Sequence, residues 1–236
     1  MRFRRWIIVA ALTLPLGACD RPETNAEQAP SRSLAEIRES GTLVVVTRNA
    51  PTTWYIGRDG EPTGPEYDLV ESFAASIGVA VEYELRGTVT AVLDAIENGA
   101  GDIAAAGLTR TEKRRDRFRF GRAYQPVTQQ VVCRRDNVQP ESVEDLLGLD
   151  IEVIADSSYV ERLEALKADG HPELAWRTNS EVDTEQLLRC VWKREIDCTV
   201  ADSTIVDINR RYFPELIAPF NLSTEQQLGW VMPQPR

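Results

Sequence analysis

One histidine and four cysteines in 236 residues leave little material for several kinds of chemistry. The histidine, His171, precedes Pro172 in a polar loop, so no histidine-based triad or zinc site can be assembled. Cys19, Cys133, Cys190 and Cys198 follow no zinc-ligand spacing, and neither metal nor cofactor is expected. Basic residues are also in deficit. With 27 Lys and Arg against 37 Asp and Glu, the net charge is −10, which argues against nucleic acid as a partner.

What is present begins with an export signal. Arg2, Arg4 and Arg5 precede an apolar run over residues 6–16, and Leu16-Gly17-Ala18-Cys19 follows. A basic segment, a short apolar segment and small residues before a cut describe a secretory signal over residues 1–18, too short to span a membrane as a mature helix. Cys19 right after the cut resembles the lipobox of bacterial lipoproteins, which implies lipidation of Cys19 and an anchored rather than spanning chain in the periplasm, in the inner or the outer membrane. Removing residues 1–18 strips three arginines and no acids, taking the net charge from −10 to −13. Export implies an oxidising compartment. With Cys19 set aside, a Cys190–Cys198 disulfide and buried free thiols are both compatible with the spacing, the free thiols being the plainer reading.

Residues 19–32 are polar, with two prolines and no periodicity, and read as a tether. Ser33 and Glu36 form a capping box before a short helix ending at Gly41. A β-branched run over 42–46 reads as a buried parallel strand. Helix is expected over 66–77, strand over 79–85, helix over 90–98 and strand over 102–106. This β-α-β-α-β order argues for a parallel sheet flanked by helices. After an extended run at 128–134 the pattern restarts: a short helix capped by Ser142, strand 151–155, helix 158–168, strand 174–177, helix 183–193, strand 197–201 and helix 203–211. A last extended run, 226–232, heads back toward the first unit. The expectation is a bilobed α/β fold, two lobes joined by two extended crossings. Lobe one takes 33–127 and 226–236; the crossing strand and lobe two take 128–225. A cleft at strand C-terminal ends is where such a clamp binds its ligand.

The stretch Ala106-Gly-Leu-Thr-Arg-Thr-Glu-Lys-Arg-Arg115 follows the third of those strands. A glycine admits close approach to backbone N–H groups, threonine adds a hydroxyl, and an arginine one turn on can grip a carboxylate in two places. That set suits a small anion. A capped helix start with solvated basic residues is the competing reading.

Gly107-Leu-Thr109-x-Thr111-x-x-Arg114 resembles the G-x-T-x-T-x-x-R element of the family 3 periplasmic solute-binding proteins, the polar amino acid receptors. The likeness extends to Gly64-Pro-Glu-Tyr-Asp68-Leu, Gly99-x-x-Asp102 and Ile196-Asp197 with Ala201-Asp202-Ser203. It implies the type II periplasmic-binding-protein fold. It also implies that Gly107, Thr109 and Arg114 hold a ligand carboxylate, that Asp202 takes the ammonium, and that Ser157 and Ser158 are donors from lobe two. Loop residues such as Asn49, Trp54 and Tyr55 would wall the side-chain pocket.

A narrower resemblance spans residues 41–232, through the stretch from Thr53 to Ala74, Gln129-Gln130, Ser157-Ser158-Tyr159, Tyr212-Phe-Pro-Glu-Leu216 and Gln227-Leu-Gly-Trp230. These are similar to the N-terminal module of the membrane-bound lytic transglycosylase F family. That family implies a module sensing an amino acid or peptidoglycan stem peptide and regulating a lytic transglycosylase catalytic domain. The catalytic domain needs a glutamate in an E-S-x-F context and a later G-A-x-G-L-M-Q stretch. Glu71-Ser72-Phe73 lies on an amphipathic helix and the second stretch is missing, so no catalytic residue and no enzyme activity are expected of this chain. Its end at Arg236, four residues past Met232, reads as truncated for a binding domain. The alternatives are a free lipoprotein receptor of a polar amino acid importer and a dehydratase on the same fold, for which no proton donor singles itself out.

Overall fold

The computed structural model describes residues 31–234. Helix α1 (Leu34–Ser40) opens with the expected capping box: the Ser33 hydroxyl accepts from the Glu36 N–H, and the Glu36 carboxylate accepts from the Ser33 N–H at 2.7 Å. Gly41 ends it at φ 72°, a left-handed conformation that costs glycine little. Strand β1 (Thr42–Thr47) follows, then a small hairpin of β2 (Tyr55–Ile56) and β3 (Pro62–Thr63). Next come α2 (Pro65–Ile77), β4 (Ala80–Leu85), α3 (Val89–Glu97), β5 (Ile103–Ala104), α4 (Glu112–Arg117) and β6 (Phe118–Val127). The second half holds β7 (Gln129–Arg134), a 3-10 turn at Glu144–Leu146, β8 (Glu152–Ile154), α5 (Ser158–Ala168), β9 (Arg177–Asn179) and α6 (Thr184–Lys193). It ends with β10 (Cys198–Asp202), α7 (Ser203–Asn209), β11 (Leu216–Ile217) and β12 (Gln226–Pro233).

The first sheet has the order β4-β1-β5-β12-β6, with β4, β1 and β5 parallel and β12 antiparallel to both its neighbours. In the second half β8 pairs in parallel with β9, and β7 lies antiparallel between β10 and β11. A parallel bridge from Ile151 to Cys198 sets β8 beside β10. The order β9-β8-β10-β7-β11 therefore repeats the first sheet strand for strand. In each sheet the fourth strand is the one that arrives from the other half of the chain. Only Thr128 separates β6 from β7, and residues 218–225 separate β11 from β12.

Apolar packing joins the halves. One buried cluster runs from Val46, Ile96 and Phe118 in the first half to Val132, Leu163, Leu188 and Val200 in the second. A smaller cluster of Leu43, Val45, Val70 and Ile103 lies between α1, α2 and the first sheet.

Two corrections to the sequence reading follow. The sequence reading assigns no strand between 106 and the crossing, yet β6 is the longest strand among the described residues. It is the edge of its sheet, where proline is tolerated and arginines face solvent. The disulfide joins Cys133 to Cys198, and Cys190 is free in α6. Cys133 and Cys198 stand directly opposite in the β7–β10 register, with Cα atoms 4.4 Å apart. That pairing spans 65 residues of sequence, so no local spacing announces it.

Candidate functional site

Four strand ends converge on one cavity. Arg48 follows β1, and the segment 107–109 follows β5. Ser157 and Ser158 follow β8, and Asp202 closes β10. In the repeated strand order β5 corresponds to β10 and β1 to β8. The two halves thus present equivalent strand ends to each other, at the carboxyl ends where α/β sheets bind ligands.

Strand β12 pins the first of these segments. The Gly229 N–H donates to Leu108 O at 3.1 Å, and the Arg110 N–H to Gln227 O at 2.9 Å. Thr111 caps α4 by accepting the Arg114 N–H at 3.2 Å, which turns Arg114 inward. Its side chain is 5% exposed. Nη1 donates to Thr109 O at 3.1 Å, Nη2 reaches Asp156 O in the other half at 3.3 Å, and Nε has no partner among the described residues. Burial holds this guanidinium below its ordinary pKa, while Glu161 and Asp202 pull the other way.

Asp202 is 4% exposed, and one carboxylate oxygen is without a hydrogen bond among the described residues. Its backbone N–H donates to the Tyr159 hydroxyl at 3.1 Å. Burial pushes the carboxyl up to about 7, against the pull of Arg114 and Arg48. The Ser157 hydroxyl donates to Ile154 O at 2.7 Å and caps α5. Ser158 donates to the Thr109 hydroxyl at 3.2 Å, directly across the cleft.

The cavity between these groups is about 30 Å³, roughly the space of a single water. The halves are closed upon each other. Besides the Ser158–Thr109 bond, the Thr90 hydroxyl donates to the Asp156 carboxylate at 2.6 Å. Asp156 sits at φ 52°, a left-handed conformation in which non-glycine residues carry strain.

The structure brings together Gly107, Thr109, Arg114, Ser157, Ser158 and Asp202 around that cavity. It changes the part Gly107 plays. At φ 66°, its N–H donates to Glu66 Oε2 at 2.7 Å rather than standing free for a ligand. Glu66, at the first turn of α2, is buried and also accepts the Tyr124 hydroxyl. Burial pushes its carboxyl up to about 7. Sequence reading named Asp202 but missed Glu66, and it could foresee neither raised carboxyl, because burial rather than residue type creates the shift.

Asn49, Trp54 and Tyr55 do not line the cavity; Arg48 and Thr52 do. Asn49 bridges to Trp54, whose ring packs 6.4 Å from Tyr83, and Tyr55 pairs with Thr63 in the hairpin. All three residues stay outside the cavity lining. Glu71 lies on α2 and accepts the Tyr83 hydroxyl at 3.0 Å, also away from the cavity. Groups of three or more residues able to hold a metal are absent among the described residues.

Residues 42–215 match the family described as bacterial extracellular solute-binding proteins, family 3. The chain belongs to that family. It is 42% identical to the membrane-bound lytic murein transglycosylase F of Maricaulis maris, over 95% of this chain and 48% of the relative. It is 44% identical to membrane-bound lytic murein transglycosylase F 2 of Alkalilimnicola ehrlichii, over 97% of this chain and 50% of the relative. The chain spans about half the length of these relatives. Among solved structures, the arginine-bound form of truncated ArgBP from T. maritima superposes with a TM-score of 0.73 at 21% identity, covering 85% of this chain and 92% of that one. An ancestral amino acid-binding protein, a precursor of cyclohexadienyl dehydratase, gives 0.71 at 24% identity, covering 85% of each. These likenesses show the fold, the type II periplasmic-binding-protein architecture common to the family. Among the described residues no helix is long and apolar enough to cross a membrane.

Proposed function

We propose that this family 3 solute-binding chain is an extracytoplasmic receptor for a zwitterionic amino acid or short peptide derived from peptidoglycan, acting as the regulatory half of a lytic transglycosylase. The observation that carries the reading is the pairing of Arg114 and Asp202. They come from opposite halves, line one cavity, are nearly fully buried, and enter no ion pair among the described residues. Burying a charge without a partner is costly. A ligand carboxylate on Arg114 and an ammonium on Asp202 would relieve both.

In this reading the cleft opens about Thr128 and residues 218–225, and the ligand enters against Arg114 and the Thr109 hydroxyl. Closure then brings Asp202, Ser157 and Ser158 onto it and desolvates both charge pairs. Glu66 keeps the Gly107 N–H, so carboxylate binding rests on Thr109 and Arg114. The cell-wall origin of the ligand rests on the relatives' names, at 42–44% identity. Solved neighbours at 21–24% identity support the fold alone and so give the importer-receptor alternative less weight.

Cys19, which lies outside the described residues, is the proposed lipidation site and would tether the module to a membrane on the periplasmic side. No murein cleavage is assigned to this chain.

Mass spectrometry of ligand carried through purification tests the reading. An amino acid or stem-peptide fragment is the expected finding, lost in Asp202→Ala. A co-purifying ligand lacking either an amine or a carboxylate would contradict it.

A further inference from the structure

Arg48 has no role in the zwitterion clamp, yet its environment is that of a binding residue. It follows β1, is 7% exposed, and lines the same cavity as Arg114 and Asp202. Nε and Nη2 make long contacts of 3.4 and 3.3 Å to Ala106 O, and no carboxylate lies within ion-pair distance of it among the described residues. Arginine cannot shed its charge as a buried lysine can. A second guanidinium therefore stands in the cavity with only a carbonyl as its hydrogen-bond partner among the described residues.

The acids facing Arg48 come from three elements: Glu66 of α2, Glu185 of α6 and Asp202 of β10. Each acts on it only at longer range. Glu66 is already engaged by Tyr124 and Gly107, and Asp202 is the group set aside for an ammonium. Glu185 does not line the cavity, which therefore offers two cationic forks and one free carboxylate among the described residues. A ligand that matches it carries two carboxylates and one ammonium.

Resting on the zwitterion reading above, we propose that Arg48 receives a second carboxylate of the ligand. The cleft then selects a dicarboxylic amino acid, or a short peptide ending in one, over its neutral isosteres. Arg114 and Asp202 fix the α-carboxylate and the amine. Arg48, lining the same cavity at the end of the neighbouring strand β1, reads the side chain. An isostere bearing an amide there leaves the guanidinium buried without its anion, and sites of that kind reject such analogues strongly.

Calorimetric titration with glutamate and glutamine decides the matter, each as the free L and D amino acid and as the C-terminal residue of an alanyl dipeptide. In the formats that bind, the glutamate form is expected to bind about thirtyfold or more tightly than the glutamine form. Arg48→Gln should collapse that ratio to within about threefold, and Arg48→Lys should keep part of it. A role confined to holding Ala106 O would change both affinities together and leave the ratio intact. Equal binding of the two forms, or a ratio that survives Arg48→Gln, overturns the role of Arg48 and leaves the zwitterion clamp standing. If neither member of any pair binds to protein with a native melting transition, the clamp and the second carboxylate fall together.

Discussion

The Ser158 hydroxyl donates to the Thr109 hydroxyl at 3.2 Å, joining two residues 49 positions apart that sit on opposite walls of the cleft. The hydroxyls proposed to face a ligand thus bind each other. With Thr90–Asp156 and Arg114–Asp156, this bond makes up a short list of polar contacts that hold the lobes shut. A ligand must displace some of them, since a cavity of about 30 Å³ has no room for an amino acid. Opening and closing are therefore an equilibrium between internal and ligand-made contacts.

Thr90→Val removes one latch without touching the groups facing the cavity. A hydrogen bond of this kind contributes about 1 kcal/mol, so the open form should gain roughly fivefold in population. Small-angle scattering without ligand should show a larger radius of gyration than wild type, and the difference should vanish at saturating ligand. An unchanged radius without ligand would mean that the Thr90–Asp156 bond does not help to hold the cleft closed.

Binding should release a proton below neutral pH. The Asp202 carboxyl, at about 7, is largely protonated at pH 6 and must ionise to take an ammonium. Calorimetry in buffers of different ionisation enthalpy should report about one proton released at pH 6 and almost none at pH 8.5. The same carboxyl bears on stability. Its folded pKa lies above the ordinary 3.8, so its contribution is full below pH 4 and is lost as pH rises toward 7. Asp202→Asn without ligand should accordingly melt about 2–4 °C above wild type at pH 8, equivalent to about 1 kcal/mol, with the gap closing toward pH 4. A gap independent of pH would remove the buried carboxyl from the account.

The Cys133–Cys198 bridge closes a loop of 65 residues, which in the chain-entropy view contributes about 4 kcal/mol. Reductant should lower the urea midpoint of wild type and of Cys190→Ser alike, and should do nothing to Cys133→Ala. Loss of reductant sensitivity in Cys190→Ser would contradict the pairing.

Much of this was readable from residues alone, and the exceptions share a cause. Ser33 with Glu36, the β-branched run after Thr42 and the Gly107-to-Arg114 stretch announce themselves locally, because caps, strands and strand-end turns are written in neighbouring residues. The partnership of Cys133 with Cys198 depends on two strands meeting 65 residues apart. Strand β6 hides behind Gly121 and Pro126, which only its place at a sheet edge excuses. Arg48 looks like any arginine until burial removes it from water. Asn49, Trp54 and Tyr55 were drawn to the cleft by their position in the chain, but the hairpin and Tyr83 hold them elsewhere.

The claim at the centre is that a buried Arg114 grips a ligand carboxylate while its neighbour Arg115, exposed on the same helix, does not. Removing one partner of a buried, hydrogen-bonded charge pair costs on the order of 2–5 kcal/mol. Titration of Arg114→Ala with the amino acid or peptide recovered from the purified protein should show affinity reduced about thirtyfold or more. Arg115→Ala should stay within about 0.5 kcal/mol of wild type. Equal losses in the two variants, both with native melting transitions, would show a diffuse basic patch and contradict the clamp.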